Sequence, residues 1–87
     1  MFLHIGNRRS VRKKDIIGIF DLDTATLTAT GKDFINRMEK AGRVGYDDLD
    51  LPRSFVLVCE DGDCKVWLSR ISAQGLKMRA TSAIEGQ

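Results

Sequence analysis

Residues 53–70 read RSFVLVCEDGDCKVWLSR, and this stretch decides the fold. Asp61-Gly62 suits the two central positions of a type I′ turn, where both residues need positive φ. With the turn there, the register follows. Cys59 faces Cys64, Leu57 faces Val66 and Phe55 faces Leu68 on one side. Val56 faces Trp67, Val58 faces Lys65 and Glu60 faces Asp63 on the other, because strand side chains alternate. The first face is apolar throughout and the second is apolar near its base. A hairpin that needs cover on both sides belongs inside a sheet or at a contact between subunits. Its base sets Arg53 against Arg70, a like-charged pair that an anion or carboxylate between them relieves. That base, with Val56 and Trp67 above it, is the first place to expect a partner.

Upstream, Phe2 to Ile5 reads as a strand and Gly6-Asn7 as a turn. Arg8 to Arg12 returns antiparallel, with Ile5 beside Arg8 and Phe2 beside Val11. Two readings of this ribbon stand: an edge guarded by charge against aggregation, or a basic ribbon touching phosphates through Arg8, Arg9, Arg12 and Lys13. His4, the only histidine, has no Ser, Cys or carboxylate at a spacing that makes it a triad base, so a packed ring is the favoured reading. Ile16-Ile17-Gly18-Ile19-Phe20 is apolar on both strand faces and reads as a central strand. Gly18 in its middle signals a close approach by a ring or backbone, or a bulge.

Residues 24–30 read as a connector or a frayed helix start. Thr30 is the expected N-cap of a helix over 31–41, whose apolar face is Phe34, Ile35, Met38 and Ala41 and whose end is marked by Gly42. Residues 43–52 read as an acidic loop that Tyr46 and Leu49 dock. Asp47, Asp48 and Asp50 lack the spacing of a calcium loop. After the hairpin, Ser72 reads as an N-cap, Ile71 and Leu76 as a hydrophobic staple, and the helix is expected to end near Ala80, leaving 81–87 as a flexible tail.

At 87 residues the chain is one domain. A chain this short buries only about 60–65% of its unfolded surface, so self-association is a common remedy for a thin stability margin. Residues 1–20 carry five cations against Asp15 alone, whereas residues 45–63 carry six carboxylates against Arg53 alone. Separated fields of this kind suit a polyanion on one surface or head-to-tail self-association. The apolar start, Phe2 to Ile5, is far too short for a signal core or a membrane span, so a cytoplasmic protein is expected. In a cytoplasm Cys59 and Cys64 are expected to stay reduced as core thiols, although their placement is compatible with a disulfide or redox pair; metal binding is the weakest reading, since structural zinc needs four ligands. No nucleophile-base pair, metal set or phosphate-cradling glycine loop can be assembled, so neither enzyme activity nor a cofactor is expected.

The strings Met1-Phe2-Leu3-His4-Ile5-Gly6 and Asp15-Ile16-Ile17-Gly18-Ile19-Phe20-Asp21, followed by Pro52-Arg53-Ser54 and the segments Phe55–Val58 and Ser69–Ala80, resemble the bacterial RemA/RemB family of extracellular matrix (biofilm) regulators, and the RemB-like branch in particular. Residues 22–50 match poorly. The resemblance covers a single domain over 1–80. It implies an α+β fold, a small antiparallel sheet with two short helices, assembling into a ring-like homo-oligomer. It also implies DNA binding on a ring surface and transcriptional regulation of matrix genes, through phosphate contacts and DNA deformability more than base reading. The family's arginine-rich string before the hairpin has the form G-R-R-T-R. Here its last four positions read Asp50-Leu51-Pro52-Arg53, which keeps only Arg53, and Asp15 stands where RemA-like members have an arginine. Arg8, Arg9, Arg12 and Lys13 offer a replacement basic surface. The alternative is a structural or adaptor oligomer that binds a protein partner and no nucleic acid.

Overall fold

A computed structural model describes residues 1–6, 9–46 and 51–85. The chain forms β1 (Phe2–His4), β2 (Ser10–Arg12), a 3-10 turn (Lys13–Asp15), β3 (Ile16–Asp21), α1 (Leu22–Ala25), α2 (Ala29–Lys40), β4 (Val44–Tyr46), β5 (Ser54–Glu60), β6 (Asp63–Ser69) and α3 (Ala73–Glu85). β1 and β2 make a two-stranded ribbon, and the other strands make a sheet in the order β3-β5-β6-β4. The architecture is α+β, with three helices rather than two. The larger sheet is mixed, because β4 runs parallel to β6.

The β5–β6 hairpin holds the middle of that sheet in the expected register, from Glu60↔Asp63 through Cys59↔Cys64 to Ser54↔Ser69. Asp61 (φ 52°) and Gly62 (φ 82°) form its turn in the left-handed region. Both faces are covered. On one, Phe55, Val66 and Leu68 are buried under Phe34, Ile35 and Met38 of α2 and Leu22 of α1. On the other, Val56 lies under Leu3, Ile5 and Val11 of the ribbon and Leu76 of α3. The Val56 and Trp67 face, expected to receive a partner, is therefore covered by the chain's own ribbon.

Two buried serines fasten these layers at the hairpin base. Ser69 Oγ donates to the Ile5 carbonyl at 2.6 Å and accepts from the Ile71 N–H at 3.0 Å; Ser54 Oγ donates to the Ile71 carbonyl at 2.6 Å. Ser72 caps α3 by accepting from the Gly75 N–H at 3.0 Å, with Leu76 buried against Ile71 as the staple requires.

Other expectations are corrected. β3 is an edge strand, not a central one. Gly18 answers to both of its readings: the ladder shifts register between Ile16 and Gly18, and the Phe20 ring lies over the glycine, where a Cβ would stand 2.5 Å from its ζ carbon. The ribbon pairs Leu3↔Val11 and Phe2↔Arg12, one residue away from the expected register. The slip carries Val11 from the exposed Phe2 to the buried face of Leu3. Thr28, not Thr30, caps α2 by accepting from the Gly31 N–H at 3.0 Å. Gly42 follows the helix in the left-handed region (φ 72°), as expected. Residues Val44–Tyr46, read as loop, form β4, while Asp47, Asp48, Leu49 and Asp50 lie outside the described residues. α3 runs to Glu85 rather than ending near Ala80. Cys59 and Cys64 are joined in a disulfide, not held as thiols: their opposed positions bring the Cα atoms to 4.0 Å. No helix among the described residues is long and apolar enough to cross a membrane.

Candidate nucleic-acid interface

The hairpin gives the molecule two chemically different ends. At the turn end stand Glu60, Asp61 and Asp63, and at the base end Arg53 and Arg70 flank the last strand pair. Glu60 and Asp63 of the turn end have basic partners. Arg43 pairs with Asp63 and also donates to the Cys64 carbonyl at 3.1 Å. Arg12 lies 3.6 Å from Glu60 and 3.5 Å from Asp15. Between ribbon and hairpin is a cleft of about 450 Å³ walled by Phe2, Val11, Val58 and Trp67. Its rim carries Asp15, Glu60, Asp61 and Asp63 against Arg12 and Lys65, an acidic balance that repels a phosphate backbone.

Of the five basic residues singled out in the sequence, the four that are described do not converge. Arg12 is held at the turn end by its two carboxylates. Lys13 Nζ donates to the Ala80 carbonyl at 2.7 Å, tying the 3-10 turn to α3. Arg9 lies over the Trp67 ring, 4.3 Å from its centroid, and Lys65 lies 4.6 Å from the same centroid. Arg8 falls outside the described residues. Arg53 sits at the hairpin base, exposed, its backbone bonded to both neighbours: its N–H donates to the Ser69 carbonyl at 2.8 Å and its carbonyl accepts from the Leu22 N–H at 3.0 Å.

Among the four that are described, Arg53 is exposed with its backbone bonded to β6 on one side and to the start of α1 on the other. Its charge also reaches Asp21, the N-cap of α1. That carboxyl is held below its ordinary value chiefly by the Thr24 backbone N–H, with the Arg53 charge a smaller contribution. The chain matches no family model, and no characterised protein matches its sequence.

Sequence reasoning missed the pairing of Trp67 with Gly45. A Cβ on Gly45 would collide with the Trp67 ring, so the glycine lets the indole lie across β4 while its other contacts carry Arg9 and Lys65. The signal available was Gly45 between Val44 and Tyr46, a glycine inside a short apolar run, which marks a close approach in a strand. Among the described residues no group of three or more His, Cys, Asp or Glu side chains is arranged to hold a metal ion.

Proposed function

We propose that this chain is a non-enzymatic regulator that binds duplex DNA through phosphate contacts and works as a ring-like homo-oligomer, in the manner that its resemblance to the RemA/RemB proteins implies, with matrix genes as its targets. The observation that carries the reading is Arg53, exposed at the hairpin base, with its N–H bonded to the Ser69 carbonyl of β6 and its carbonyl to the Leu22 N–H at the start of α1. An exposed guanidinium takes a phosphate oxygen in charge-assisted, often bidentate, hydrogen bonds. Backbone bonded on both sides of Arg53 fits a contact that positions DNA without reading bases.

Titration of labelled duplex DNA at several salt concentrations tests this. Log affinity is expected to fall linearly with log salt, by about 0.9 for each phosphate neutralised. Arg53→Ala should weaken binding to all sequences alike and lower the salt slope by about 1 for each site lost. Absence of binding at low salt overturns the reading.

A second reading has its own support. Arg12 and Lys13 serve contacts inside the chain, which removes them from a phosphate surface. An adaptor oligomer that binds a protein partner and no nucleic acid fits that observation. It is favoured if the assembly persists while DNA titrations show no binding.

A further inference from the structure

We propose that β3 is completed by β3 of a second copy, the two strands pairing antiparallel across a two-fold axis and joining two four-stranded sheets into one. The inference rests on the self-association proposed above and assigns a surface to it.

The strand is built for the inside of a sheet but stands at its edge. Ile16 to Phe20 contains no charge and no proline, and on the side away from β5 it has no strand partner among the described residues. Ile17 is 62% exposed and Phe20 41% exposed. An edge of this kind offers unpaired N–H and C=O groups to any extended chain, and natural edges are usually blunted by charge within the strand. Here the charges sit only at the two ends. Beside the strand's second half runs a shallow groove of about 280 Å³, lined by Phe20, Thr24, Ala73 and Lys77 among others.

The end charges choose the occupant and its direction. Before the strand, Asp15 is engaged with Arg12, and Lys14 is exposed. After it come Asp21 and Asp23, both exposed. Antiparallel pairing of two copies brings the Lys14 end of each beside the Asp21–Asp23 end of the other. Parallel pairing sets like charges together, which disfavours it. An isologous contact of this kind closes at two copies, so a larger ring uses a second surface as well.

Light scattering on the full chain measures the assembly, and hydrogen exchange at two protein concentrations locates the contact. The wild type is expected to be an oligomer of even copy number, with exchange over residues 16–21 slowing as concentration rises. Ile17→Lys, which places a charge on the exposed edge, is expected to lower the assembly mass to that of the unit held by the second surface, or to the monomer where β3 is the sole contact, while keeping the wild-type circular dichroism. Lys14→Glu and Asp23→Lys should each shift dissociation to higher concentration, and the double variant should restore the wild-type mass. A wild type that stays monomeric overturns self-association and this interface together. An oligomer with concentration-independent exchange over 16–21, or with a folded Ile17→Lys variant of unchanged mass, overturns the edge pairing alone. Neither result touches the DNA titration, which stands or falls on binding to the hairpin base. Should Ile17→Lys fail to fold, the charge-swap pair and the wild-type exchange decide the matter.

Discussion

Ser69 donates its hydroxyl to the carbonyl of Ile5 at 2.6 Å, across 64 residues of sequence, in a place where both groups are buried. This bond joins the central hairpin to the ribbon that covers it. The same oxygen accepts from the Ile71 N–H at 3.0 Å, so one hydroxyl serves two backbone groups. Ser69→Ala leaves both without that partner. Unsatisfied buried polar groups cost about 1–3 kcal/mol, and that is the expected loss in urea unfolding. A drop well under 1 kcal/mol would mean that water reaches the base and replaces the hydroxyl.

Trp67 and Gly45 are coupled by shape. Gly45→Ala forces the indole away from β4, and the ring is also what Arg9 and Lys65 rest on. Overpacking of this kind typically costs about 1–3 kcal/mol. The sole tryptophan reports it directly: its fluorescence is expected to shift to longer wavelength as the ring becomes wetter, together with a lower unfolding midpoint. An unchanged spectrum would show that the ring does not need the glycine.

The hairpin was legible because its turn chemistry and its alternation agree. Asp61-Gly62 admits one register, and every pair from Glu60↔Asp63 to Phe55↔Leu68 follows from it. Caps and helix faces were legible to within two residues, since Thr28 and Thr30 offer the same hydroxyl and only tertiary fit separates them. β4 was hidden because three residues, one of them glycine, carry too little pattern to distinguish a strand from a loop. The place of β3 was hidden for a different reason. A strand apolar on both faces reads as interior, and one chain supplies β5 on one side only. At the candidate site, composition located the positive charge but not its use. Arg12 and Lys13 look like Arg53 in sequence, yet the fold spends the first on carboxylates and the second on a helix carbonyl.

The Cys59–Cys64 bridge closes a short loop, with the two residues five apart in sequence. A cross-link over so few residues limits the unfolded chain by about 2 kcal/mol in the chain-entropy account. Adding a reducing dithiol is expected to lower the urea midpoint by a corresponding amount while leaving the fold intact, because the hairpin is also held by its ladder and both covered faces. A Cys59→Ser/Cys64→Ser variant should behave as the reduced protein and show no response to the reductant. Equal midpoints with and without reductant in the wild type would show that the bridge adds nothing.

Asp21 links the end of β3 to α1 and to Arg53. Its Oδ1 accepts from the Thr24 N–H at 2.9 Å, and this bond, aided by the charge of Arg53, holds the carboxyl below its ordinary value of 3.8. The sign follows from linkage. A carboxyl depressed in the folded state contributes stability that is fully present above 3.8 and is lost as pH falls through its lower folded value. Other carboxylates titrate in the same range, so the wild type alone does not isolate it. Asp21→Asn keeps an acceptor suited to the N-cap but does not titrate. The difference in unfolding free energy between wild type and variant is therefore expected to be constant from about pH 7 to 5 and to shrink below about pH 4. Arg53→Ala should make that loss smaller and complete it nearer 3.8, because it removes one of the causes that depress the group. A wild-type-minus-variant difference that stays flat into acid would show that Asp21 does not cap α1 in solution, and with it that the Arg53 end of the hairpin is arranged differently.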